Sequence, residues 1–294
     1  MVKKLLRRVL NESRVIDYIF GDVIFRRRFK RELSLLDGRS ISDSNHPSII
    51  HMGVNRGATQ WVKDVLRRVG HTVNLVHVNW NGMAFHSDYP YLDQLDEVGQ
   101  YKSFFRPRGY LYSSFGGYPA GIPELRKYKA VLVVRDPRDV LVSRYFSIKV
   151  SHGVPPVKNP NRDEFLERRE QAQKESIDEF VRRTSQGLRD TYDEYMDGLL
   201  KDHPDVHVAR YEDMATDVEE WLHNLLAYIE ISPPKRLVRE IVEEARAVQE
   251  KEEDETEHVR KGQPGDHREK LSSRTVERLN DTFSDVLQKF EYPR

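Results

Sequence analysis

The chain has 294 residues, with 48 Lys and Arg against 48 Asp and Glu, so its formal net charge is zero. That balance argues against a dedicated nucleic-acid binder, which carries a basic excess, while leaving room for local basic patches. The absence of cysteine excludes disulfides, thiolate metal sites and cysteine nucleophiles, and no apolar run approaches the roughly 18 residues of a membrane span.

Residues 1–35 form a basic leader. Leu5, Leu6, Val9 and Leu10 recur at helical spacing among Lys3, Lys4, Arg7 and Arg8. It has neither the unbroken apolar core nor the small-residue cleavage site of a secretory signal. Two readings stand: a helix packed on the domain, or attachment to an anionic membrane or a partner. The expected location is cytoplasmic, membrane-peripheral on the second reading. Asp37 to Pro47 is a polar linker, which divides the chain into a leader and linker (1–47) and a domain (48–294).

The domain opens with a strand at Ser48–Met52, a glycine-containing loop and a helix from about Ala58 to Val69. Strands are expected at Val73–Val78, Tyr110–Ser113, Val131–Val134 and Val206–Ala209. Residues 79–105 are irregular and aromatic, with Trp80, Phe85, Tyr89, Tyr91 and Tyr101 serving either an acceptor site or the core. A long helix runs from Ser176 to Leu200, opened by a capping box of Ser176 and Glu179, and another from Asp217 to Ile229. Strands alternating with helices predict an α/β fold, a mainly parallel sheet covered on both faces. The acidic stretch Glu250 to Glu257 reads as a solvated helix end or loop.

Three segments carry chemistry. In HMGVNRGATQWV (51–62) a strand feeds a loop that opens a helix. Backbone N–H groups at Gly57, Ala58 and Thr59 would meet an anion at the helix N-terminus. Thr59 adds a hydroxyl and Arg56 a permanent charge. This is not a Walker A loop, since no Lys-Ser/Thr pair follows. In VVRDPRDVLVSRYF (133–146), Arg135 ends a strand and Ser143 lies about two helical turns on. The two can hold one phosphate between a guanidinium fork and a hydroxyl, while Asp136, Arg138 and Asp139 fix the loop. In the segment 258–283, Arg260-Lys261-Gly262 sets two cations beside a flexible residue, an anion clamp. A smaller motif, Tyr211-Glu212-Asp213, follows a short strand and precedes a helix.

Together these segments resemble the sulfotransferases that use 3′-phosphoadenosine 5′-phosphosulfate (PAPS), over roughly residues 48–292. The first loop aligns without a gap on the family's P-K-S-G-T-T-W: Asn55 on Pro, Arg56 on Lys, Gly57 on Ser, Ala58 on Gly, Thr59 and Gln60 on the two Thr, and Trp61 on Trp. Heparan-type loops also match Gly53-Val54. The resemblance implies a P-loop nucleotide-kinase-like architecture, with these seven residues on the 5′-phosphosulfate. It places Arg135 and Ser143 on the 3′-phosphate, closed by Arg260, Lys261 and Gly262, and Tyr211 near the adenine. Gly265-Asp266 match the family's R-K-G-x-x-G-D-W segment, and His267 stands in for its Trp. Arg56 keeps the charge of the family's Lys, which stabilises the leaving phosphate, but spreads it over a fork.

Cytosolic members deprotonate the acceptor with a His in a K-T-H segment; the matching place here is near Tyr112-Ser113-Ser114, with no His. Other branches use a Glu roughly 20–30 residues after the cradle Lys. That window holds His77, His86 and Asp88, taken in the order His86, Asp88, His77 as candidate bases. No metal is implied. The expected partner is a small-molecule, glycan or lipid acceptor, with the protein a monomer or homodimer that binds no nucleic acid. A P-loop phosphotransferase and a non-catalytic nucleotide-binding relative are the alternatives.

Overall fold

The computed structural model describes residues 22–151, 153–156, 159–249 and 263–294. The basic leader up to residue 21, the acidic stretch 250–257 and the Arg260-Lys261-Gly262 clamp lie outside them. At the centre is a sheet of β1 (Ile49–Gly53), β2 (Val76–Val78), β3 (Tyr110–Phe115), β4 (Lys129–Val134) and β5 (Val206–Arg210). The strands lie in the order β2-β3-β1-β4-β5, with every neighbouring pair parallel. The helices that matter below are α1 (Lys30–Leu36), α2 (Thr59–His71), α3 (Trp80–Phe85), α4 (Pro137–Phe146), α5 (Arg162–Lys174), α6 (Ile177–Asp193), α7 (Tyr211–Thr216), α8 (Val218–Ile229), α9 (Lys235–Gln249), α10 (Asp266–Lys270) and α11 (Ser273–Thr282). This is the α/β fold that the alternation of elements predicts.

Side chains alternate across the strands, so each face buries its own core. Ile49, Val131 and Val133 pack against Val62, Val65 and Leu66 of α2, Trp221 and Leu222 of α8, and Ile241 of α9. Ile50, Met52, Leu132 and Val134 face the opposite way, onto Val140 and Leu141 of α4, Leu188 of α6 and Leu279 of α11. Phe29 and Leu35 join this second core. The polar linker is strapped down at two points: the Ile41 N–H donates to the Tyr110 hydroxyl at 2.9 Å, and Pro47 bridges Arg108.

Several boundaries move for local reasons. β2 starts at Val76 because Asn74 turns at φ 59° and the Leu75 N–H returns to the Gly70 carbonyl at 2.9 Å, closing α2. The Ser176 capping box forms, with the Glu179 N–H 3.3 Å from the Ser176 hydroxyl and the Ser176 N–H 2.8 Å from the Glu179 carboxylate. The long helix it opens is not uniform. It is α-helical to Asp193, then widens into a π-helical turn over Glu194–Leu199. Gly198 suits that turn, because a Cβ there would lie 2.7 Å from the Tyr118 ring. In the aromatic segment, Trp80 is 1% exposed, and its indole donates to the Pro90 carbonyl at 2.8 Å among the rings of Tyr89, Tyr101 and Phe104. Trp80 therefore belongs to the core.

Candidate active site

β1 and β4 are hydrogen-bonded neighbours, with Gly53 paired to Val133, so the loops leaving them open side by side. β1 passes the chain towards one edge of the sheet and β4 towards the other, which makes this crevice the switch point where α/β sheets bind ligands. Gly53 keeps the loop close: a Cβ there would lie 2.8 Å from both Thr59 Cγ2 and Val133 Cβ. Arg56 (φ 82°) and Ala58 (φ 65°) adopt the left-handed conformation that side-chain-bearing residues rarely take. Such strain persists where surrounding structure over-determines it, often at ligand clamps. The sequence reading points the Gly57 N–H at an anion; the fold instead turns it to the Val54 carbonyl at 2.9 Å, closing the loop. The Ala58, Thr59 and Gln60 N–H groups remain at the start of α2, where helix geometry offers them no intrahelical acceptor. Thr59 is buried, Asn55 and Gln60 are exposed, and Trp61 is half-buried with its ring 5.5 Å from that of Trp221.

The second segment meets the first directly. Arg56 Nε donates to Ser143 Oγ at 3.1 Å, and Arg135 Nη1 donates to the Arg56 carbonyl at 3.1 Å. The Arg135 guanidinium lies 4.2 Å above the Tyr211 ring. Arg135 is 6% exposed, and its Nε has no hydrogen-bond partner among the described residues. Residues 56, 135, 143 and 211, dispersed in sequence, thus form one site. Asp136 caps α4 through the Arg138 N–H at 2.9 Å, and Pro137 occupies the first turn, where its missing N–H costs nothing. The buried Arg138 guanidinium bonds to Asp136, the Asn280 side chain and the Pro293 carbonyl, each at 2.6 Å.

The chain just past the Arg260-Lys261-Gly262 clamp is fastened to the same place. Asp139 accepts the N–H groups of Gly265 (2.6 Å) and His267 (2.9 Å) and bonds His267 Nδ1 at 2.7 Å. Burial alone would raise the Asp139 pKa. The His267 hydrogen bond and the charge of Arg135 outweigh it and hold this carboxylate well below its usual range.

Glu212, the middle residue of the Tyr211-Glu212-Asp213 motif, is a neighbour to which the sequence reading gave no role of its own. Its Oε1 accepts the Asp136 N–H at 2.9 Å, and its other oxygen is buried without a partner among the described residues. Burial pushes its pKa up to about 7, against the pull of that hydrogen bond and of Arg135. An acid raised in this way binds its proton more tightly folded than unfolded. Its stabilising protonation is complete below the ordinary value of 4.5 and is lost as the pH climbs through about 7. Between about pH 5 and pH 8 the melting temperature is therefore expected to fall. In Glu212→Gln that fall shrinks by roughly 3 °C or more, measured by thermal scans across the range.

The three candidate bases separate. His77 Nε2 is 2.9 Å from Ser113 Oγ, and burial with the charge of Lys63 pushes its pKa down to about 4. It is a neutral ring committed to β3. His51, fully buried on β1, has its pKa pushed down by that burial to about 3, and neither ring nitrogen has a partner among the described residues. His86 ends α3, with its ring 5.2 Å from that of Phe85 and 6.0 Å from that of Phe29. Asp88 is exposed.

The structure adds Asp93 to these candidates. Its Oδ2 accepts the N–H groups of Gly116 and Gly117 and the Asn81 side chain at 3.1 Å, just past the end of β3. Its Oδ1 is buried and has no partner among the described residues. Burial raises its pKa despite those three donors. Gly116 touches the phosphate loop: a Cβ there would lie 2.8 Å from the Asn55 amide nitrogen. Glu194, on the π-helical turn, closes on Gly117 and is raised by burial and by the Asp93 charge. The only sequence signal for this corner is the Gly116-Gly117 pair after a strand.

A parallel sheet with a strand–loop–helix turn at its switch point is the arrangement by which α/β proteins commonly bind phosphate groups. Residues 46–291 match the family model described as Sulfotransferase domain, and the chain belongs to that family. Solved structures with a similar fold include mouse sulfotransferase SULT7A1 complexed with PAP, at 14% identity and TM-score 0.57, covering 87% of this chain and 88% of that one. Retinol dehydratase in a complex with retinol and PAP aligns at 14% identity and TM-score 0.52, covering 89% and 86%. No curated protein matches the chain. Among the described residues, no cluster of His, Cys, Asp or Glu is disposed to hold a metal, and no helix is long and apolar enough to cross a membrane.

Proposed function

We propose that the protein transfers the sulfonyl group of PAPS to a hydroxyl or amine of a small-molecule, glycan or lipid acceptor. The observation that carries this reading is the meeting of Arg56, Ser143, Arg135 and Tyr211 at one switch point. The relatives crystallised with PAP, the product nucleotide, support it. Asn55, Arg56, Gly57, Ala58, Thr59, Gln60 and Trp61 hold the 5′ end, with the backbone donors of Ala58, Thr59 and Gln60 on its oxygens. Arg135 and Ser143 take the 3′-phosphate, and Tyr211 flanks the adenosine. Arg260, Lys261 and Gly262 close over it, a role suited to a segment whose exit is tied to Asp139.

In the reaction the acceptor oxygen or nitrogen attacks sulfur in line. A bond to sulfur forms, the bond from sulfur to the bridging oxygen breaks, and its electron pair leaves on the 5′-phosphate. Arg56 meets that growing charge. The acceptor's proton goes to Asp93, whose unpartnered oxygen and raised affinity for a proton suit a general base.

Arg56→Ala is expected to cut kcat by roughly 100-fold while weakening PAP binding far less, because the charge it meets develops in the transition state. Steady-state rates beside PAP titrations test this, and an unchanged kcat removes the role. The function itself is tested by incubating the protein with PAPS and a panel of phenols, sugars and lipids. Mass spectrometry should detect PAP and a sulfated product together. Tight binding of ADP with Mg²⁺ in place of PAP would instead point to phosphoryl transfer.

A further inference from the structure

Charge is distributed unevenly along this neutral chain: residues 1–31 hold ten Lys and Arg against three Asp and Glu. The described part of that segment is helical over residues 22–28, turns at Phe29 and continues as α1, with Phe29 N–H to Phe25 O at 2.9 Å and Leu33 N–H to Phe29 O at 3.0 Å on either side of the turn. Phe25, Phe29 and Glu32 face the protein. Val23, Ile24, Arg27, Lys30 and Arg31 fall on the opposite side at helical spacing, with Arg26 at its flank. Val23 is 66% exposed and Ile24 is 50% exposed. Arg26, Arg27, Lys30 and Arg31 have no ion-pair partner among the described residues.

We propose that this face docks the protein on an anionic lipid bilayer. Two exposed apolar side chains at one end of a row of cations suit a headgroup boundary, where the apolar pair enters and the cations meet lipid phosphates and carboxylates. A soluble polyanion would use the cations and leave Val23 and Ile24 without a role.

The helix bearing this face is also linked, through α3, to the proposed base Asp93. The Glu32 carboxylate accepts the Asn79 N–H, the cap of α3, at 2.8 Å, and Phe29 lies against His86 at the other end of that helix. Between them α3 carries Asn81, which bonds Asp93. A bilayer under the helix is therefore linked through α3 to the residue proposed to take the acceptor's proton. This last step rests on the sulfonyl-transfer reading, and it narrows the acceptor to a hydroxyl or amine carried by a membrane lipid.

The test uses the full chain with vesicles of phosphatidylcholine alone and of phosphatidylcholine with about 30% phosphatidylserine. Sedimentation with the anionic vesicles only is expected. It should weaken about tenfold in Val23→Asp/Ile24→Asp and disappear in Arg27→Glu/Lys30→Glu/Arg31→Glu or at high salt. PAP titration of each variant gives an independent reading of fold and nucleotide site, so the two proposals fail separately. Absence of sedimentation in the parent protein overturns the docking proposal. So does sedimentation unchanged in Val23→Asp/Ile24→Asp, with heparin competing fully, which would mark a soluble polyanion as the partner.

Discussion

Arg135→Ala is expected to weaken PAP by roughly 100-fold, and the analogue lacking the 3′-phosphate by far less. The guanidinium is nearly buried, aligned by the Arg56 carbonyl on one side and the Tyr211 ring on another, with Nε left without a partner. A hydrogen bond to a charged group contributes about 1.5–3 kcal/mol, which spans roughly tenfold to more than a hundredfold in affinity. Geometry matters as well as charge, so Arg135→Lys should recover only part of the loss: an ammonium cannot lie flat on Tyr211 while bonding forward. Calorimetric titration of both nucleotides decides the matter. Equal losses for the two would remove the 3′-phosphate from Arg135.

Asp93→Asn should lower kcat by about 10²–10⁴-fold, the range for a lost general base, and leave PAP affinity almost unchanged. The exchange is nearly isosteric. The amide oxygen can still accept the Gly116 and Gly117 N–H groups, so the turn past β3 keeps its support. Only the proton-accepting oxygen is replaced. Because burial raises the Asp93 pKa, the parent enzyme should lose activity as the pH falls, at values above those where an exposed carboxylate titrates. The residual rate of the variant should lack that limb. A variant with full kcat and the same acid limb would move the base elsewhere, with His86 the next place to look.

The legible parts of this protein were those written in local runs. The cradle, Arg135 with Ser143, and the capping box of α6 each occupy fewer than a dozen residues, and their chemistry follows from spacing on a strand, loop or helix. Illegible were the contacts made across the fold. Asp93 reaches the phosphate loop only because β3 lies beside β1, which brings Gly116 against Asn55. Glu212 shifts because α7 tucks under the β4 exit. His77 looked suited to proton transfer, but one strand position decides that its ring turns to Ser113 instead. Ser176 to Leu200 read as one uniform helix because a π-helical turn leaves the 3.6-residue apolar pattern almost intact.

Arg138 has a practical consequence for anyone labelling this enzyme. Its grip on the Pro293 carbonyl brings the last residues to the first turn of α4, three positions from Arg135. A fluorescent protein or affinity tag fused after Arg294 would crowd that turn and the proposed nucleotide site beside it. A small dye on the outer face of α5, far in sequence from that end, is the gentler choice for imaging.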